Sequence, residues 1–142
     1  MTGVIVVGVD DSETARKAAQ SAGLLAVAMG ARLHVVTAFT SDRAHVVGTG
    51  SDRLVVSEAG IAEKLARAVA VELRSEQLEV DYFAVHGSPA QALIKQAETH
   101  DATMIVVGNR RMRGLGRVLG SVANTVAHNA PCDVYIAKTD EV

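Results

Sequence analysis

Short unbroken apolar runs alternate along this chain with longer stretches that repeat at helical spacing, and that alternation leaves few ways to fold. Val4 to Val9 (V-I-V-V-G-V) and Met104 to Val107 (M-I-V-V) carry no polar residue at alternate positions, so strands there need cover on both faces. Helices on both sides of a parallel sheet give that cover. In chain order the pattern predicts strands at Val4–Val9, Arg32–Phe39, Glu79–His86, Thr103–Gly108 and Asp133–Ala137. Helices are expected from an Asp11 or Ser12 cap to about Met29, over roughly Arg53–Ser75, from a Ser88 cap with Pro89 in the first turn to about Thr99, and from Ser121 to His128. Thr40 to Asp52 is polar, contains glycine and has no period, so a long loop is expected. With right-handed crossovers, β-α-β-α-β-α-β-α-β becomes an α/β, doubly wound, five-stranded parallel sheet with helices on both faces. Gly8, inside the first strand, marks a place where a helix or a ligand packs close to the backbone.

Composition narrows the function. The 142 residues are 49% hydrophobic but only 3% aromatic, without tryptophan, so the core has to come from Val, Leu, Ile and Ala. A single domain over 1–142 is expected, with no repeat or low-complexity segment. The net charge of -2 offers no field for nucleic acid or an anionic membrane. One cysteine, Cys132, rules out a disulfide within the chain and suits a reducing cytoplasm. The apolar run at the start lacks a basic flank and is too short for a signal peptide or a membrane span. His34, His45, His86, His100 and His128 show no metal-ligand spacing, and core packing is expected for His34. No nucleophile has an obvious base nearby in sequence, so no catalytic residue is assigned.

The most telling stretch is Thr103 to Val122, T-M-I-V-V-G-N-R-R-M-R-G-L-G-R-V-L-G-S-V. A buried strand ends at Gly108. A loop with Gly114 and Gly116 and with Arg110, Arg111, Arg113 and Arg117 follows, and closes on Gly120-Ser121 at a helix start. Strand, glycine-rich basic loop and helix N-terminus together suit a phosphate chain: glycines let N–H groups approach, the helix start offers unpaired donors, and arginines add charge. In a doubly wound sheet, ligands bind beyond the carboxyl ends of the strands where strand order reverses. The first and fourth strands are the expected neighbours there, which sets Asp10 beside this loop. A carboxylate at that position can accept from a base or ribose, or hold a divalent ion on phosphates; it can equally cap the next helix.

The stretch resembles the nucleotide-binding signature of the universal stress protein family: glycine, two residues, glycine, nine residues, then Gly followed by Ser or Thr. Gly108 stands for the first glycine and Gly120-Ser121 for the closing pair. The chain departs from the signature at Arg111, which occupies the second glycine position, and in its spacer, Met112 to Leu119, which is one residue short. The resemblance runs over almost the whole chain, including the N-A-P-C-D-V approach to the last strand. It implies a Rossmann-like fold of the adenine nucleotide alpha hydrolase type and a cytoplasmic stress-response protein that binds ATP or another adenine nucleotide such as cyclic AMP, with magnesium as a candidate companion. By the same resemblance, Val9, Asp10, Ala38, Val107, Gly108, Arg110, Arg111, Gly114, Arg117, Gly120, Ser121 and Val122 form the nucleotide site. Val9, Ala38, Val107 and Val122 would pack on the base; read without the resemblance, they are simple core. A homodimer through Val134, Tyr135, Ile136 and Ala137 is also implied, and as the last strand these residues need edge cover.

Other readings stand beside this one. A weak ATPase or self-phosphorylating protein needs a group to orient water or a hydroxyl, and none stands out. A homodimeric scaffold that binds no nucleotide draws its support from Arg111. A phosphorylation-switched receiver shares the Asp10-Asp11 pair but needs an aspartate at the end of the third strand, where this chain has His86-Gly87-Ser88.

Overall fold

The computed structural model describes residues 3–41, 44–47, 54–109 and 119–139. The elements are β1 (Val4–Gly8), α1 (Glu13–Met29), β2 (Arg32–Phe39), β3 (Ala44–Val47), β4 (Leu54–Ser57), α2 (Glu58–Leu73), β5 (Val80–His86), α3 (Pro89–Thr99), β6 (Met104–Gly108), α4 (Ser121–Asn129) and β7 (Asp133–Ala137). Five of the strands form one parallel sheet in the order β5-β2-β1-β6-β7. The expected neighbours do meet: Ile5, Val6 and Val7 of β1 pair with Met104, Ile105 and Val106 of β6.

The period of two along each strand divides the core. Ile5, Val7, Leu33, Val35 and Val106 point to one face, where Ala18, Ala19, Ala22 and Ala26 of α1 and Ala66, Val69 and Ala70 of α2 cover them. Val6, Val36, Ile105 and Val107 point to the other, under Ala92, Leu93 and Ala97 of α3 and Ala123 and Val126 of α4. Branched strand residues meet alanine stripes, so large fills small and helices lie close to the sheet. This is why a core with almost no aromatic residue can still close.

Two readings change. The expected loop from Thr40 to Asp52 contains β3, which pairs antiparallel with β4 as a separate two-stranded sheet. The runs A-H-V-V and L-V-V-S are each only four residues, too short for alternation to stand out from their polar surroundings. The second helix accordingly begins at Glu58, not Arg53, and ends at Leu73. Ser57 caps it, its Oγ accepting from the Gly60 N–H at 3.0 Å, so Gly60 sits in the first turn.

The two sheet edges, β5 and β7, each carry a tyrosine. Tyr82 packs partly into the core with the Arg74 guanidinium 5.8 Å from its ring centre, whereas Tyr135 is exposed beside Ile136. Under α3, buried His34 takes a hydrogen bond from Gln96 (Nε2 to Nδ1, 3.1 Å) and packs against the rings of Phe83 and His100. Burial lowers its pKa below the ordinary 6.5, helped by the neighbouring His100. His34 is therefore a neutral core residue, as expected.

Candidate functional site

At the carboxyl ends of β1, β2 and β6 lies a cavity of about 290 Å³. It exists because two neighbouring strands of the sheet, β1 and β6, send the chain to opposite faces. The chain leaving β1 turns into α1 on one face, and that leaving β6 returns through α4 on the other. A crevice opens between them at the switch point. Its floor is apolar, built from Val9, Val36, Ala38, Val106 and Val107, and Ala92 and Leu93 of α3 form a wall. Gly8 is the close approach expected from the sequence: a Cβ there would stand 3.0 Å from Leu93 Cδ2, so the neighbour is a helix. A Cβ on Gly108 would meet Thr139 Oγ1 at 3.1 Å.

Three helix starts reach the cavity, through Thr14 of α1, Pro89 of α3, and Gly120 with Ser121 of α4. They differ in how their first N–H groups are satisfied. Ser12 caps α1, its Oγ accepting from the Ala15 N–H at 3.2 Å. Ser88 and Gln91 form a reciprocal capping box at α3. Gly120 caps α4 with no side chain, so the donors of the first turn and the positive end of the helix dipole face the cavity without a side-chain cap.

Polar groups are few. Asp10 Oδ1 accepts from the Ser12 N–H at 2.8 Å, which holds the turn out of β1 while the residue stays exposed at the mouth. Asn109 is buried, and its Oδ1 accepts from both the N–H and the hydroxyl of Thr139, at 2.6 and 3.0 Å. Thr37 also lines the cavity; it is 7% exposed and its hydroxyl has no hydrogen-bond partner among the described residues.

The family model of the universal stress proteins matches residues 1–138. The chain belongs to the universal stress protein family. A universal stress protein of Thermus aquaticus is 33% identical over 135 residues, covering 94% of this chain and 97% of the relative. Among solved structures, a universal stress protein in complex with cAMP is 28% identical at a TM-score of 0.72, covering 97% of this chain and 98% of that one. A universal stress protein from Archaeoglobus fulgidus in complex with dAMP, 24% identical at a TM-score of 0.69 over 95% and 97% of the two chains, shares the fold.

Within this universal stress protein fold, Val9, Asp10, Ala38, Val107, Gly108, Gly120, Ser121 and Val122 all line the one cavity. Arg110, Arg111, Gly114 and Arg117, also expected at the site, lie outside the described residues. Sequence reasoning missed Thr14, Thr37, Pro89 and Leu93. Thr37 and Leu93 look like core from spacing alone, and only the strand order brings them to the crevice. Pro89 signals the start of α3 in the sequence, but not where that start points. Among the described residues no cluster of histidine, cysteine and carboxylate has metal-site geometry, and no helix is long and apolar enough to cross a membrane. Cys132 is partly buried against the α3–α4 face, and burial pushes its thiol up, away from thiolate chemistry.

Proposed function

We propose that the cavity binds an adenine nucleotide, ATP or cyclic AMP, and that the protein acts as a regulatory module in a stress response. The observation that carries this reading is the glycine-capped start of α4, which lines a cavity with an apolar floor. Apolar floor and open donors match the two halves of a nucleotide, a flat base and an anionic phosphate. Supporting it is the cAMP complex of a structural relative of 28% identity that spans nearly the whole chain.

The base lies toward Val36 and Ala38, and the phosphates toward Gly120 and Ser121, with the arginines of 110–117 adding charge. Magnesium, where it accompanies a triphosphate, has Asp10 as its carboxylate; one carboxylate plus phosphate oxygens is a normal magnesium environment. Titration calorimetry with ATP and cyclic AMP, with and without magnesium, tests the reading, and the absence of binding to either ligand overturns it. Release of phosphate from ATP over hours, followed in the same samples, separates a binding module from an enzyme.

We also propose a homodimer through β7. That strand is a sheet edge, and Tyr135 and Ile136 on it are 43% and 38% exposed. Pairing two such edges would satisfy their free backbone groups and cover both side chains. Light scattering on Ile136→Asp is expected to give monomer where the native protein gives dimer.

A further inference from the structure

The chain leaves β6 under a different restraint from the one at β1. After β1, the Asp10 carboxylate accepts from the N–H of Ser12, two residues on. After β6, Asn109 Oδ1 accepts from the N–H and the hydroxyl of Thr139, 30 residues on, at 2.6 and 3.0 Å. Both partners are buried. The ladder between β6 and β7 ends with Gly108 beside Ala137. Two residues beyond Ala137, the Thr139 N–H is taken by a side-chain oxygen. A longer β6 would give that N–H a backbone acceptor. Instead β6 stops at Gly108, which lines the cavity, and an amide side chain takes over the acceptor role. The backbone leaves the sheet there without stranding a buried N–H.

We propose that Asn109 and Thr139 are positioning residues of the nucleotide site: together they fix where the chain leaves β6, and with it the Gly108 backbone at the cavity. This rests on the nucleotide reading above. Thr139 packs into the place that a side chain on residue 108 would take. A Cβ there would stand 3.1 Å from its Oγ1 and 3.3 Å from its Cγ2, with Ala18 Cβ of α1 at 3.8 Å. Gly108 is therefore backed by Thr139 and α1 while it lines the cavity. Two donors of one residue converge on a single oxygen, which leaves the Asn109 side chain little freedom. Arg110 to Arg117 follow Asn109 directly in sequence, so a shift at Asn109 passes to the charges expected at the phosphates. An amide provides this anchor without placing a carboxylate near an anion. Neither Asn109 nor Thr139 lines the cavity, so both act through Gly108 and the chain that follows it.

Asn109→Ala removes the acceptor. In titration calorimetry its affinity for ATP or cyclic AMP, whichever the native protein binds better, is expected to fall about tenfold, and its melting temperature to fall by about 3–10 °C. Thr139→Val keeps the shape, loses only the hydroxyl bond and is expected to bind about threefold more weakly. Thr139→Ser keeps both donors and is expected to hold affinity within about twofold. Gln96→Leu is the control: it breaks the buried bond to His34, at a residue that does not line the cavity. Its melting temperature is expected to fall by a similar amount, with affinity within about twofold of native. A residue serving only the fold would behave as Gln96 does. Unchanged affinity in Asn109→Ala and Thr139→Val, with the native protein binding, overturns this inference and leaves the nucleotide reading standing. An equal loss of affinity in Gln96→Leu overturns it too, since binding would then follow stability alone. Where Asn109→Ala does not fold, Thr139→Val decides. Failure of the native protein to bind either nucleotide overturns both readings.

Discussion

The starts of α3 and α4 face the same cavity from the same side of the sheet, yet they are built on opposite plans. At α3, Ser88 and Gln91 take each other's backbone N–H groups, and Pro89 removes a further donor. The helix is then seated by Leu93 against Gly8 and by Gln96 on His34. At α4 a glycine caps the helix and brings no side chain to its donors. The difference separates two uses of one chemistry. Where a helix start only has to hold its place, the chain supplies its own acceptors. Where we propose that an anion is held, the capping residue brings no acceptor of its own.

Four experiments break or sharpen that contrast. Gly120→Asp makes α4 resemble the capped helices and adds a negative charge, so nucleotide affinity is expected to fall roughly hundredfold while the melting temperature holds or rises. Unchanged affinity in calorimetry would show that the phosphates do not use this helix. Gly8→Ala tests the seating of α3: the added methyl meets Leu93 at 3.0 Å, and urea unfolding is expected to show a loss of about 1–3 kcal/mol. A neutral result would mean that α3 is free to shift. Ser88→Ala removes half of the capping box and is expected to lower stability by about 1 kcal/mol while leaving affinity within about twofold. A large loss of affinity there would erase the distinction between the two helix starts.

The smallest effect comes from acid. The fold holds His34 neutral, with its pKa below the ordinary 6.5; His100 and Arg32 push it the same way as burial, and Asp81 opposes them. The unfolded chain takes up the proton first. His34 thus contributes its full stability above pH 6.5, and that contribution is lost as the pH falls through 6.5 toward its lower folded value. Urea midpoints at neutral and mildly acidic pH are expected to differ more in the native protein than in His34→Gln. Equal differences would remove His34 as the source.

Most of the fold was readable because its signals are local. Branched runs such as V-I-V-V-G, serine caps at Ser12 and Ser88, and Gly30 at the end of α1, with φ of +65°, all act within a few residues. The β3–β4 ribbon was missed because four-residue strands carry too little alternation. The site was half readable. Gly120-Ser121 and Asp10 stand at element ends, where function is expected. Thr37 does not: in sequence it is one more residue of a buried strand, and that its hydroxyl has no partner among the described residues emerges only in the folded chain.

With no tryptophan and only two tyrosines in the chain, tyrosine emission comes from the two edges of the sheet and not from its middle. Tyr82 sits near one margin beside an arginine, and Tyr135 stands exposed at the other. The molecule thus carries its own optical labels at its borders. Events along β7 would alter the Tyr135 signal directly, whereas filling the central crevice would be nearly silent. A tryptophan introduced at the cavity floor would have a dark background to report against.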